Sequence, residues 1–260
     1  MFLFSQADQP RLLAPGVFAS VPARHAEVAR ARGGFYVHHA GYGPEHARLL
    51  NPRPLCTAAF LWSFVGSVST CPAVRAPLVV LLDDRAFTLD TTEWLGRQRW
   101  LMDGPGRVER SKALARYAEG LHQAKFIACP RGLGASSVRL FESMRVARCP
   151  VIVADEWLPP PFVDWDSCSI RVAERDLNHL PAILREREGE AEALGRRARI
   201  VWEQRYSPAG MLGTLAESCL DIATEDRSVG GRLRMAARVG FSVQTARKVG
   251  HPVRRAVGRA

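Results

Sequence analysis

Residues 125–164 constrain the fold more than any other part of the chain, because two short apolar runs flank a glycine-rich turn and an amphipathic segment. The runs are 126–129 and 149–154, and each has the length and composition of a buried strand. Between them, Ser136 or Ser137 is a suitable N-cap for a helix. A strand-helix-strand unit closes with a right-handed crossover, so this stretch predicts a parallel sheet.

The start of this helix has the features of an anion-binding site. Gly132 and Gly134 let a ligand approach the backbone, and free N–H groups together with the helix dipole favour a negative charge there. Arg139 and Glu142 are three residues apart, so they share one face of the helix. A guanidinium can bind a diphosphate, and a carboxylate can accept hydrogen bonds from two ribose hydroxyls. An ordinary glycine turn followed by a solvated ion pair is the alternative interpretation.

The order of residues over this stretch resembles that of a known family. The chain reads PRG at 130–132, then a Gly/Ser turn, RLFE at 139–142 and PVIVADEWLPPPFVDW at 150–165. This order is similar to the C-terminal half of exostosin-like glycosyltransferases. Upstream, LWSFVGS at 61–67 with Arg75 resembles the opening strand, glycine turn and downstream arginine of the same family.

The resemblance implies an α/β, GT-B-like fold, in which two Rossmann-like domains face each other across a cleft and the C-terminal one holds a nucleotide sugar. It implies that Glu142 binds the ribose hydroxyls and that Arg139 lies on the diphosphate side. Arg131 is a second candidate for contact with the leaving diphosphate, since preorganised cations stabilise its developing charge. We expect an inverting transfer from a UDP-sugar, with no bound metal and no other cofactor. The residues expected to bind the phosphates are Gly132, Gly134, Ser136 and Ser137.

The length of the chain limits this arrangement. At 260 residues with 47% hydrophobic residues, the chain holds one large or two modest domains. We expect a reduced acceptor-side segment at 1–55, a Rossmann-like domain at 56–226 and a basic tail at 227–260. The short first segment indicates either a reduced N-terminal domain or a truncated copy. The second possibility predicts a non-catalytic remnant that binds a nucleotide sugar or a glycan.

An inverting transferase needs a base that deprotonates the acceptor hydroxyl, and the resemblance places it on the N-terminal side. Residues 35–39, FYVHH, have the pattern of a short strand. His38 and His39, with His46 nearby, are candidates for the base or for contacts with a carbohydrate acceptor. A structural or solvated role is the alternative for each of them.

Other segments complete a doubly wound pattern. The apolar run 78–82 predicts a central parallel strand, 111–124 predicts a helix, and 180–206 predicts two charged helices. Asp155 and Glu156 follow the strand at 149–154, at the sheet edge where ligands bind. We therefore expect Asp155 to accept hydrogen bonds from sugar hydroxyls of the donor.

Cysteine spacing and charge indicate the compartment and the partners. The six cysteines lack CxxC or zinc-like spacing, which predicts free thiols in a reducing, cytoplasmic compartment. The net charge is +10, and residues 228–260 hold eight Lys/Arg and no acid, leaving +2 (10 − 8) elsewhere. An apolar stripe beside these cations suits a helix on an anionic membrane surface, with a disordered tail as the alternative. Nucleic acid ranks lower as a partner, because the chain shows no groove-reading motif.

Overall fold

The computed structural model describes residues 2–10, 12, 14–26, 30–36, 48–93 and 105–224, with side chains from 111 onward in the last range. A small N-terminal sheet has three parallel strands in the order β1-β2-β3. Its strands are β1 (Leu3–Ser5), β2 (Gly16–Phe18) and β3 (Ala31–Gly33). Within these described ranges, no helix has the length and apolar character needed to cross a membrane.

The larger sheet has five parallel strands in the order β5-β4-β6-β7-β8. The strand order reverses between β4 and β6, so the carboxyl ends of these two strands form the switch point at which open α/β sheets bind ligands. This topology confirms the predicted α/β fold with a Rossmann-like parallel sheet. The strands are β4 (Phe60–Gly66), β5 (Ala86–Asp90), β6 (Ala124–Pro130), β7 (Cys149–Val153) and β8 (Ile170–Arg171).

The helices described by the structure include those predicted at 111–124 and 180–206. They are α1 (Pro72–Val80), α2 (Pro105–His122), α3 (Val138–Arg145), α4 (Leu180–Glu186), α5 (Ala191–Val201) and α6 (Met211–Thr224). A π-helical turn, Trp202–Tyr206, continues α5. The β6-α3-β7 unit has the order that 125–164 predicted, and its two strands are parallel.

Both faces of the larger sheet are buried, which explains why its strands read as continuous apolar runs. In β6, Ile127 and Cys129 enter one hydrophobic core, whereas Phe126 and Ala128 enter the core on the opposite face. Helix α3 covers the first of these faces with Phe141. The thiols of all six cysteines are free, as the spacing predicted.

The prediction of a strand at 78–82 was wrong, because most of this run belongs to α1. Pro72 occupies the first helical turn, where a missing N–H costs nothing. Val74 and Leu78, four residues apart, are buried against the sheet, whereas Leu82 is fully exposed beyond the helix. A five-residue apolar run is compatible with either a strand or a helix, and here the spacing of the buried side chains follows the helical period.

The strand predicted at 35–39 is also not found over its described part. The strand β3 ends at Gly33, and Phe35 and Tyr36 follow it outside any strand. Both side chains are buried in succession, so they do not alternate between two faces. Phe35 packs with ring centroids 5.1 Å from Tyr206, inside the larger core.

Helix α6 connects the small sheet to the rest of the molecule, and the sequence pattern did not predict it. Its buried stripe is Thr214, Ser218 and Ile222, of which only one residue is strongly apolar. Arg32 on β3 pairs with Asp221, with the guanidinium Nε 2.5 Å from the carboxylate.

The domain boundaries at 55 and 226 remain predictions.

Candidate functional site

Arg139 lies in the first turn of α3, at the switch point between β4 and β6. It is only 7% exposed, and its Nη2 donates to the carbonyl of Val65 at the end of β4. Its guanidinium carbon is 4.9 Å from the centroid of the Phe64 ring. Among the residues that the structure describes, its Nε and Nη1 have no hydrogen-bond partner. Because a buried charge is costly unless it is fully paired, this position favours an anionic ligand.

Glu142 lies one turn further along α3 and is 4% exposed. The Tyr117 hydroxyl, on α2, donates to the Glu142 carboxylate. The ring of Tyr117 also lies below Arg139, with 5.9 Å between the guanidinium carbon and the ring centroid. The structure thus brings Arg139 and Glu142 to one buried cluster, as the spacing predicted, and adds Tyr117. The sequence predicted the helix at 111–124 that carries Tyr117, but it did not predict this contact.

Arg75, on α1, supports the switch point from below. It is buried and donates to the carbonyls of Ser67 at 3.0 Å, Pro130 at 3.2 Å and Arg131 at 2.8 Å. These bonds tie the carboxyl ends of β4 and β6 together. Burial, with the nearby charge of Arg139, lowers the pKa of Arg75 to about 10, so the side chain stays charged at neutral pH.

The Gly/Ser turn that precedes α3 is covered by the N-terminal segment. A Cβ added at Gly134 would lie 2.0 Å from both the Asp8 carbonyl oxygen and the Ser20 hydroxyl. Ser20 also accepts a hydrogen bond from the Ser136 N–H at 3.3 Å. The Ser136 hydroxyl is buried and has no partner in the described part of the chain. The turn therefore carries an unmet polar group beneath the N-terminal segment.

Beside this turn lies a cavity of about 420 Å³. It separates the N-terminal segment from the carboxyl ends of β6, β7 and β8, where parallel sheets present their ligand-binding loops. The sequence did not predict that residues of the N-terminal segment, or Glu174, line this cavity. Residues that line the cavity include Asp8, Ser20, Arg24, Arg131, Asp155 and Glu174.

Arg131 is engaged by a carboxylate at this cavity. Its Nε is 2.7 Å from Oε1 of Glu174, and its Nη2 is 3.1 Å from Oε2. This bidentate pair raises the pKa of Arg131. Glu174 Oε1 also accepts from the Asp155 N–H at 3.2 Å, and the Glu174 N–H donates to Asp155 Oδ1 at 3.1 Å. A ligand anion that uses Arg131 must therefore compete with Glu174.

The predicted donor-binding residues fall into two groups. The first group is buried at the switch point, and the second lines the cavity. Gly132 lies between them, where an added Cβ would be 3.0 Å from Arg75 Nη2. The switch-point group is Ser136, Ser137, Arg139 and Glu142, and the cavity group is Arg131, Gly134 and Asp155.

The candidate base residues His38 and His39, with His46, lie outside the described residues, as does the basic stretch 228–260. In the ranges that are described, no three His, Cys, Asp or Glu side chains come together as metal ligands would.

The chain is similar to a known protein family, to several of its relatives and to solved structures. The profile of the family described as Exostosin GT47 domain matches residues 43–187. An Exostosin-1 homolog of Caenorhabditis elegans is 39% identical over 70 residues, which are 26% of this chain and 18% of that protein. Exostosin-1 of Bos taurus is 30% identical over 94 residues, which are 35% of this chain and 13% of that protein. The chain therefore spans less than a fifth of the length of these relatives.

Among solved structures, a glycosyltransferase from Rickettsia africae is similar over 82% of this chain and 64% of that chain, with 11% identity and a TM-score of 0.42. The family match covers 145 residues (187 − 43 + 1), more than half of the 260. The matched residues 43–187 include the PRG, RLFE and PVI motifs, and Arg139 and Glu142 of RLFE are buried. The chain accordingly belongs to the exostosin GT47 family, the exostosin-like glycosyltransferase family that those motifs predicted.

Proposed function

We propose that this chain is a glycosyltransferase that moves a sugar from a nucleoside diphosphate donor to a carbohydrate acceptor. The observation that carries the proposal is the buried guanidinium of Arg139 at the switch point, whose Nε and Nη1 nitrogens have no hydrogen-bond partner among the described residues. A diphosphate offers several acceptor oxygens and compensating charge, so its binding there would satisfy these donors. Family membership independently favours sugar transfer.

The roles of the other residues follow from the chemistry of the donor. Glu142, oriented by the Tyr117 hydroxyl, would accept hydrogen bonds from the ribose. The backbone N–H groups at the start of α3 would face the phosphates. Arg75 and Arg139 would balance the charge that develops on the leaving diphosphate, and Arg131 would join them if Glu174 released it. With these cations in place, we propose a UDP-sugar donor and no requirement for a metal.

The proposed chemistry is an inverting transfer, with His38 or His39 as the base that deprotonates the acceptor. An acceptor in a cell-envelope glycan would agree with a cytoplasmic enzyme whose basic residues 228–260 contact an anionic membrane surface. In this proposal the nucleotide sugar and the carbohydrate acceptor are the partners, and nucleic acid is not.

Calorimetric titration of the full chain with UDP and with GDP, first without metal and then with magnesium, tests the donor site. We expect UDP to bind without metal and Glu142→Ala to abolish that binding. Glu192→Ala is the matched control, since Glu192 lies on the exposed side of α5 and pairs with Arg196. Enzymatic release of UDP from a panel of UDP-sugars, with and without acceptor glycans, then measures transfer. Wild-type protein that binds neither nucleotide would contradict the proposal.

A non-catalytic nucleotide-sugar or glycan-binding protein is the second candidate. It is favoured by protein groups that already occupy ligand-facing positions, namely Ser20 on the Ser136 N–H and Glu174 on Arg131. In that case UDP binds, but no UDP-sugar is turned over with any acceptor of the panel. The two candidates therefore share the binding result and differ in the turnover result.

A further inference from the structure

The cavity beside the Gly/Ser turn has a distinctive balance of charge. Its described lining contains four carboxylates and two guanidiniums, which leaves an excess of two negative charges (4 − 2). Both guanidiniums are already paired, one with Glu174 and the other, that of Arg24, with Glu156 at 2.6 Å. The excess therefore rests on the two remaining acids, Asp8 and Asp155.

These two acids lie on different elements of the lining. Asp155 follows β7 and is exposed, and Asp8 belongs to the N-terminal segment. Neighbouring groups orient both carboxylates, since Asp8 Oδ1 accepts from the Tyr36 hydroxyl at 2.7 Å and Asp155 Oδ1 accepts from the Glu174 N–H. An ionised carboxylate only accepts hydrogen bonds, so two oriented carboxylates suit a ligand that is rich in hydroxyl donors.

The cavity also has the size and rigidity of a binding site. Its volume of about 420 Å³ lies within the range of small-molecule sites. Leu133, exposed on the turn between Gly132 and Gly134, presents an apolar surface on which the C–H face of a pyranose ring can pack. The opposite wall is tied to the loop after β7 by the Ala23 N–H, which donates to the Glu156 carbonyl at 2.9 Å. Walls held in this way lose little freedom when a ligand binds.

We propose that this cavity binds an uncharged sugar unit of the acceptor and selects against units that carry a carboxylate or a sulfate. The proposal rests on the proposed function, because it divides the site into a cationic donor part at Arg139 and an acidic acceptor part. It assigns Asp155, which the sequence predicted to bind the donor sugar, to the acceptor instead, and it keeps Arg131 paired with Glu174. The N-terminal segment, which supplies Asp8, Ser20 and Arg24 to the lining, gives the cavity its acceptor-side wall. An anionic sugar in the cavity would face Asp8 and Asp155 at a few ångströms. Repulsion between the ligand anion and one of these carboxylates weakens binding on the order of tenfold, when the effective dielectric constant lies between that of bulk water and that of a protein surface.

The test uses two probes that differ only at C6, methyl β-D-glucopyranoside and the corresponding glucopyranosiduronic acid. Saturation-transfer NMR titrations of the full chain measure the affinity of each at neutral pH and low ionic strength. We expect the glucoside to bind and the uronate to bind at least about tenfold more weakly. The difference between the two affinities should become smaller at about 0.5 M salt, because salt screens the repulsion between the carboxylates and the uronate.

Asp155→Asn should shift the ratio of the two affinities toward the uronate by about tenfold, since it removes one of the two excess charges. Asp176→Asn is the matched control, because Asp176 pairs with Arg175 and is not part of the cavity lining. It should leave the ratio unchanged. A ratio compares two ligands on one protein, so a partial loss of folded protein does not alter it.

Four results would overturn the inference. Three of them are equal or tighter binding of the uronate, no binding of the glucoside, and an Asp155→Asn ratio equal to that of the wild type. The fourth is displacement of the glucoside by saturating UDP, which would assign the cavity to the donor; we expect the glucoside to stay bound. If UDP fails to bind while the glucoside binds selectively, the donor proposal fails and the sugar cavity stands. If UDP binds but the uronate is preferred, only the cavity proposal fails.

Discussion

Replacing Arg139 with methionine separates a ligand-binding arginine from a structural one. The variant keeps an unbranched side chain over the Phe64 ring but removes the charge and all the N–H donors. In the absence of ligand, it loses the hydrogen bond to the Val65 carbonyl, worth about 1.5–3 kcal/mol. It also loses the cation–π contact with Phe64, worth about 0.5–2 kcal/mol.

The same substitution removes a desolvation cost. The Nε and Nη1 nitrogens of Arg139 are buried without hydrogen-bond partners among the described residues, and each such unsatisfied atom costs about 1–3 kcal/mol. The gains and losses are of similar size, so we expect the free energy of unfolding of the unliganded protein to change by less than about 1 kcal/mol.

Donor binding should respond much more strongly. Two charge-assisted hydrogen bonds to a diphosphate are worth about 1.5–3 kcal/mol each, and a net loss of about 3 kcal/mol weakens UDP binding on the order of 100-fold. Arg139→Lys keeps the charge without the fork-shaped donor set, so its affinity should lie between those of the wild type and Arg139→Met.

Calorimetric titration with UDP and urea denaturation without ligand measure the two effects on the same samples. Arg199→Met is the matched control, because Arg199 stacks on the Trp202 ring at 4.8 Å away from the switch point, and it should leave UDP affinity unchanged. Wild-type UDP affinity in Arg139→Met would refute the assignment. A loss of more than about 3 kcal/mol of stability without ligand would show instead that Arg139 is a structural residue.

The remaining predictions concern stability, pH and thiol reactivity. Gly134→Ala should destabilise the protein by more than about 2 kcal/mol in urea denaturation, because its Cβ would overlap backbone 2.0 Å away. Gly213 lies in the first turn of α6, and a Cβ added there would have no neighbouring atom within 4 Å. Gly213→Ala should therefore stabilise the protein by about 0.4–1 kcal/mol, and equal effects of the two substitutions would contradict the packing described for the turn. An arginine and a lysine that pair with Glu188 lower its pKa from 4.5 to about 2, so its stabilising contribution is present above pH 4.5 and is lost as the pH falls through about 2. Glu188→Gln should therefore lower the free energy of unfolding by about 1 kcal/mol or less at neutral pH and leave it unchanged near pH 2. Urea denaturation at a series of pH values measures this difference, and a destabilisation that grows on acidification would exclude the ion pair as its source. An aromatic disulfide reagent should modify exposed Cys56 before buried Cys129. Only the thiolate reacts, and burial raises the pKa of the Cys129 thiol to about 12. Mass spectrometry of the labelled peptides measures the order of modification, and earlier labelling of Cys129 would contradict the prediction.

The β6-α3-β7 unit was predictable because each of its signals is local. The strands are short apolar runs, the turn is rich in glycine, and Arg139 and Glu142 are three residues apart on one helix. These features depend on backbone geometry within a few residues, and the structure reproduces them. The family resemblance was readable for the same reason, since its motifs are concentrated in this stretch.

The run 78–82 shows where local pattern is insufficient. Five consecutive apolar residues fit a strand buried on both faces or a helix with one exposed side, and the packing of Val74 and Leu78 against the sheet decided for α1. Helix α6, in contrast, is a helix that the sequence pattern did not predict. Thr214 and Ser218 fill its buried stripe with hydroxyls that bond main-chain carbonyls, so its hydrophobic period is weak in the sequence.

The sequence by itself determined the parallel α/β class, the family and the shared helical face of Arg139 and Glu142. Only the tertiary structure decided that Tyr117 donates to Glu142, that Arg75 joins β4 to β6, and that Ser20 and Glu174 meet the predicted turn and Arg131. The physical reason is the sequence separation of these partners. Strand order and the burial of both sheet faces bring together residues that are far apart along the chain, and no periodicity within a short segment records which distant groups will meet.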